Sequence, residues 1–287
     1  MNISRKHHFL PQFYLKGFTN EKGQFRIFDV KNQQPKQNGK LFYPSSHFYK
    51  INANTINYET GECDSIEKLY EQIDFNIAKI ISNVRCGNQE NRFNVSELEM
   101  PQINNFASQI FWRNPTNEPK LRNYINTNSL NELGLKIINS DGTINIELSE
   151  QFKNEPEFYK SYRFFNALFD PIRGINCRTQ YHIFERPTNL PSILSDNPVI
   201  FQKIESIKVY EDDYILPLSN ERIFIKRNLS KVFPLDLHYL IDLIQIKQSQ
   251  NYFAYTDLEY VMYLESLHKE NNFTLEKYKT LLFENLE

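Results

Sequence analysis

The chain has 287 residues, with 33 lysines and arginines against 35 aspartates and glutamates, for a formal charge of −2. A 40% hydrophobic content excludes an intrinsically disordered chain, and the length supplies a core that needs no disulfide or metal staple. Near-neutral charge excludes the global basic signature of a duplex-coating protein and leaves only a local basic groove open.

The elements are expected as follows, in chain order. Phe9 to Phe18 reads as an extended aromatic stretch around Pro11, turned by Asn20-Glu21-Lys22-Gly23 and returned by a strand over Gln24 to Val30. Residues 31–40 form a polar loop, and Leu41-Phe42-Tyr43 and His47-Phe48-Tyr49 are short strands or anchors. A helix opens at Asp64-x-x-Glu67 and carries Ile66, Leu69, Tyr70, Ile73, Ile77, Ile80, Ile81 and Val84 to a stop at Gly87. A second helix starts near Ser96-x-x-Glu99 and ends at Trp112-Arg113-Asn114-Pro115, because the residue before proline avoids the α region. A short helix over Leu130–Leu135, a tight hairpin around Asp141-Gly142 and a helix over Glu157–Phe169 follow.

From Arg178 the apolar period changes to two. Strands are expected over Gln180–Glu185, Val199–Gln202, Val209–Leu216 and Arg222–Lys226. Helices over Leu235–Lys247, Thr256–His268 and Thr274–Phe283 close the chain. The outline is α+β: an N-terminal β-hairpin, a helical middle, an antiparallel β-rich section and C-terminal helices. No linker composition divides it, so one domain over 1–287 is expected, with parts at 1–60, 61–170 and 171–287.

Three cysteines, Cys63, Cys86 and Cys177, are far apart and odd in number, which fits neither a disulfide framework nor a Cys-x-x-Cys metal site. The opening residues lack an apolar signal region, and no run of about 18 apolar residues spans a bilayer. A reduced, cytoplasmic setting without membrane contact is expected.

Phosphate-loop, dinucleotide, zinc-protease and serine-hydrolase motifs are missing, and eight glycines leave little for a phosphate cradle. Two segments carry chemistry. In Lys6-His7-His8-Phe9-Leu10-Pro11-Gln12-Phe13-Tyr14, histidines beside basic and aromatic residues suit an anionic group, although strand neighbours point to opposite faces. In Ser192-Ile193-Leu194-Ser195-Asp196-Asn197-Pro198, a hydroxyl, a carboxylate and an amide meet where a strand ends. Turn chemistry alone is the competing account of the second segment. Glu67 reads as the carboxylate of a capping box, and Arg113 as either an anion clamp or a helix C-terminal cap.

His-His-Phe-Leu-Pro-Gln-Phe-Tyr-Leu-Lys-Gly-Phe at 7–18, Ser-Asp-Asn-Pro-Val at 195–199 and Leu-Pro-Leu-Ser at 216–219 together resemble the bacterial domain of unknown function 4238 family. The resemblance picks out His8, Pro11, Tyr14, Leu15, Phe18, Ser195, Asp196, Asn197 and Pro198 and implies no reaction by itself.

Two functions stay open. In the first, His8 and Asp196 converge as general acid/base and metal ligands with Arg113 as anion clamp. Tyr14, Ser195 and Asn197 then hold the substrate, and the cofactor is a divalent metal such as Mg²⁺. The reaction named first is phosphodiester hydrolysis of RNA or DNA, by a toxin or phage-defence effector. In the second, the same motifs build a pocket or partner surface of a non-catalytic binding or regulatory module. The partner is accordingly a nucleic acid or a protein.

Overall fold

A computed structural model describes residues 5–58, 61–88, 90–155, 157–173, 180–202, 212–227, 234 and 236–286. The N-terminal part holds β1 (Lys6–His8), α1 (Gln12–Leu15), β2 (Phe25–Asp29), β3 (Gln34–Pro35), β4 (Leu41–Phe42), β5 (Tyr49–Ile51), β6 (Ile56–Tyr58) and β7 (Gly61–Cys63). Helices α2 (Ser65–Cys86), α3 (Met100–Arg113), α4 (Glu118–Thr127), α5 (Ile146–Lys153) and α6 (Phe158–Arg173) follow. Then come β8 (Tyr181–Glu185), β9 (Ile193–Ser195), β10 (Ile200–Phe201), β11 (Tyr214–Pro217) and β12 (Arg222–Lys226). The chain closes with α7 (Leu237–Gln248), β13 (Tyr252–Tyr255), α8 (Leu258–Asn271) and α9 (Leu275–Glu284). The protein is α+β, with strands in the N-terminal and middle parts and helices at the C-terminus.

Two antiparallel sheets form its centre. One runs β3-β2-β13-β9, with β4 also paired to β2, and the other runs β10-β11-β12-β8. Strand alternation assigns each side chain to one of two apolar clusters. Phe25 and Ile27 of β2, Ala254 of β13, and Leu216 and Phe224 of the second sheet join α2, α3, α4 and α6. Phe28, Phe253, Ile215, Ile223 and Ile225 face the other way and join α7, α8 and α9. The sheets are therefore the middle of three layers. This is why Tyr214–Pro217 and Arg222–Lys226 are buried at every position rather than at alternate ones.

The central helices follow their sequence pattern. Ile77, Ile80, Ile81 and Val84 put one stripe of α2 into the core, and truncating Ile81 to alanine would cost about 2–5 kcal/mol. The Ser96–Glu99 pair is made as expected: both the Ser96 amide and hydroxyl donate to the Glu99 carboxylate, at 2.8 and 2.7 Å.

Several expectations differ from the structure. The stretch Phe9–Phe18 is not an extended arm, because after β1 it winds into α1 and a 3₁₀ turn over Lys16–Phe18. Pro11 precedes this helix, a position that proline tolerates since no intrahelical N–H is lost. The hairpin at this end is instead β2 with β3, while β1 pairs with β5. Strands β9 and β13 were not expected, although β13 lies between β2 and β9. Leu130–Leu135 is a turn rather than a helix. The expected strand at 209–216 begins at Tyr214; its first residues lie outside the described residues, as does Cys177.

Candidate functional site

The first motif splits its two histidines as strand geometry requires. His7 is 1% exposed, and its Nδ1 accepts the Asn54 amide at 2.8 Å. His8 turns the other way, with its ring centroid 5.6 Å from that of Tyr49. Burial lowers the His8 pKa, against the Ser45 and Pro44 carbonyls that raise it, and its Nε2 has no hydrogen-bond partner.

The rest of that motif builds the core. Tyr14 is fully buried, and its hydroxyl donates to the Pro217 carbonyl at 2.7 Å, tying the first motif to the third. Arg85 reinforces the junction by donating to the carbonyls of Phe13, Tyr14 and Leu218 at 3.0–3.2 Å. Gly17 is needed where they meet, because a Cβ there would stand 2.3 Å from the Arg85 guanidinium. Gln12 and Lys16 lie on the opposite side of α1, in an open hollow with Asn20, Tyr43 and Ser45.

The second motif is a lock. Asp196 is 1% exposed, and its carboxylate accepts four N–H donors: the backbone of Gln250, Asn251 and Tyr252, and the Asn251 side chain, at 2.8–3.3 Å. It thereby fixes the turn between α7 and β13. Burial pushes its carboxyl above the usual range, against the pull of those donors. Ser195 is fully buried; its Oγ accepts from the Asn197 amide and the Ser249 hydroxyl, and its amide donates to Gln245. The Asn114 side chain donates to the Asp196 carbonyl at 2.7 Å and to the Asn197 side chain at 3.3 Å.

Each of these expected site residues has its own contacts in the fold. No hydrogen bond or ion pair joins His8 to Asp196 among the described contacts. Tyr14 and Ser195, expected at a substrate, are core residues, and the Asn197 backbone and side chain serve the lock. The Asp196 oxygens are engaged, and among the described residues no three His, Cys, Asp or Glu side chains converge as metal ligands.

A different group of charged residues does converge, at the junction of β1, α2, α3 and α6. Arg113, 5% exposed, forms a two-pronged pair with Asp74, with both contacts at 2.9 Å, and its guanidinium carbon lies 3.7 Å from the Tyr70 ring centroid. Burial opposes the Arg113 charge, but Asp74 and Tyr70 more than offset this and hold its pKa above the ordinary value. Arg163, 3% exposed, donates to the Ala53 carbonyl at 3.0 Å and to the Asn54 side chain. The Asn54 side-chain Nδ2 in turn donates to Glu67 at 2.6 Å, and Glu67 lies 4.0 Å from His7. Glu67 thus bonds across to the 52–55 loop and not to a helix cap. The hydroxyls of Tyr70 and Thr55 and the Nε atoms of Arg113 and Arg163 are buried without a hydrogen-bond partner. Glu67 and Asp74, 17% and 23% exposed, give the cluster its contact with water.

Arg113 is the one expected catalytic residue within this cluster. His7, Asp74, Arg163 and Tyr70 were missed, although α2 carried a signal: Glu67, Tyr70 and Asp74 follow at i, i+3 and i+7, on one helical face.

Three layers, antiparallel sheets between two sets of helices, and the three linked motifs define this α+β class of protein. The sequence profile described as "Protein of unknown function (DUF4238)" matches residues 6–238, and the chain belongs to that family. The match ends inside α7, so β13, α8 and α9 follow it. No curated protein and no solved structure matches the chain. No helix among the described residues is long and apolar enough to cross a membrane.

Proposed function

We propose that the protein is a non-catalytic binding or regulatory module. In this reading the family motifs build the fold and a ligand or partner is held elsewhere on the surface. One observation carries the reading: Asp196 is 1% exposed and both its carboxylate oxygens accept from the 250–252 backbone, so the motif's single carboxylate is committed to the fold. A bacterial cytoplasmic setting goes with it, supported by the free thiols of Cys63 and Cys86. The test incubates the full chain with mixed RNA and DNA, with and without Mg²⁺ or Mn²⁺, beside His8→Ala and Asp196→Ala. The reading expects no cleavage, a near-normal melting temperature for His8→Ala and a much lower one for Asp196→Ala. Cleavage lost in Asp196→Ala at an unchanged melting temperature would overturn it.

The charged cluster favours a second reading: phosphodiester hydrolysis by a toxin or phage-defence effector. There His7 would move the proton, Arg113 and Arg163 would neutralise the phosphate, and the Asn54 backbone amide would orient His7. It requires a nucleic-acid substrate that reaches past Glu67 and Asp74. In that case Arg113→Lys and His7→Gln would each abolish cleavage by folded protein, while Asp196→Asn would spare it in whatever fraction folds.

A further inference from the structure

The first sheet also carries a polar cavity, lined from β2, β13 and the start of α8. Arg26 of β2 and Tyr255 of β13 are direct cross-strand partners, so their side chains emerge on the same face. They line a cavity of about 820 Å³, together with Asn38, Gly39 and the start of α8. That volume lies within the roughly 300–1,000 Å³ typical of small-molecule sites.

The Arg26 guanidinium is preorganised. Its Nε donates to the Gly39 carbonyl at 3.1 Å and one Nη to the Thr256 carbonyl at 3.0 Å. Among the described residues these two of its five N–H donors have acceptors, which leaves the others for a ligand. Tyr255 is 1% exposed, yet its buried hydroxyl has no hydrogen-bond partner. Gly39, at φ +78°, leaves open the space a side chain would take, since a Cβ there would touch both Arg26 and the Tyr255 hydroxyl at 3.9–4.0 Å. On the other side stand Asp257 and Glu259. Asp257 uses one oxygen to cap α8, through the amides of Glu259 and Tyr260, and its other oxygen remains for a ligand.

We infer that this cavity binds a small zwitterion of the α-amino-acid class, with its carboxylate on Arg26 and the Tyr255 hydroxyl and its ammonium on Asp257 and Glu259. A simple anion leaves the two carboxylates unmatched, and a simple amine leaves Arg26 unmatched. A molecule carrying both charges a few bonds apart meets each with its complement, while Gln34 and Asn38 supply amides to its side chain. The inference rests on the binding reading above and gives it a ligand class.

The test titrates the full chain with each standard amino acid, with acetate and with ethylamine, following heat of binding and melting temperature. At least one amino acid is expected to bind one site and raise the melting temperature, while acetate and ethylamine do neither. Tyr255→Phe should weaken binding by about tenfold without destabilising the free protein, because the hydroxyl it removes has no protein partner. Glu259→Gln should weaken it further. Absence of binding by every amino acid, binding of acetate as tight as that of any amino acid, or unchanged affinity in Tyr255→Phe would each overturn the site. Nucleic-acid cleavage is scored separately: a silent titration with no cleavage removes this site alone, whereas cleavage by the wild type removes the binding reading itself.

Discussion

The Tyr14 hydroxyl reaches the Pro217 carbonyl at 2.7 Å across 203 residues of sequence, joining the first family motif to the third inside the core. Tyr14 also meets Phe18 and Phe106 edge-on, with centroids 5.3 and 5.5 Å apart. The aromatic motif is thus a wedge between α3 and the second sheet, and its one polar atom fixes the depth.

Tyr14→Phe isolates that atom. The ring contacts survive, while the Pro217 carbonyl loses its buried donor at a cost of about 1–3 kcal/mol. For a chain of this size, a melting midpoint lower by roughly 2–10 °C is expected. A calorimetric scan checks it, and an unchanged midpoint would mean that the carbonyl has another donor.

Asp196→Ala removes four hydrogen bonds at once and strands the Gln250, Asn251 and Tyr252 amides. The loss should be at least about 3 kcal/mol, since a hydrogen bond to a charged group is worth about 1.5–3 kcal/mol. Hydrogen exchange locates the damage: protection should fall first at 249–252 and along β13, ahead of α2 and α3. Uniform loss across the chain would contradict a local lock.

Stability should also depend on pH through His47. Burial, aided by the Lys36 charge, lowers its pKa from 6.5 to about 4. The folded chain therefore binds fewer protons than the unfolded chain between those values, so stability is full above pH 6.5 and declines as pH falls toward 4. The loss is bounded at about 3 kcal/mol. His47→Phe keeps the ring contacts with Phe42, Phe48 and Tyr252 and removes the titration. His238, held down to about 4 by burial and Arg186, retains a comparable share of the slope. His8, His182 and His268 are lowered by burial as well, so denaturant titrations between pH 4 and 7 should show a shallower but not abolished slope in His47→Phe, and equal slopes would refute the assignment.

Legibility in the sequence followed contact range. Helix α2 was readable because Ile77, Ile81 and Val84 mark their face within a few turns. The strands at 181–185 and 222–226 were readable from β-branched and aromatic runs bounded by turns. Strand β13 was not: four residues, Tyr252–Tyr255, are too few for a period, and their strand state is imposed by β2 and β9 from distant sequence. The site failed for the same reason. Alternation showed that His7 and His8 face opposite sides, but only the pairing of β1 with β5 decides which is buried. Turn chemistry around Asp196 pointed to a structural role, yet its donors lie 54–56 residues further on.

The Arg113–Asp74 pair separates the two functional readings. The Arg113 side chain is 3% exposed and Asp74 23%, so Asp74→Leu should leave a buried cation short of its partner at about 2–4 kcal/mol. Arg113→Met alone should cost less, because the carboxylate it abandons can turn to water. The double variant Arg113→Met/Asp74→Leu should recover most of the loss, giving a coupling energy above about 1.5 kcal/mol in a double-mutant cycle. Strong coupling means that the guanidinium is committed to Asp74 and Tyr70 within the fold, as a binding module requires. Coupling near zero would mean that Arg113 holds its position without Asp74 and is free to turn toward an incoming anion. The hydrolase reading would then gain its clamp, and Arg113→Lys would become the variant to assay for cleavage.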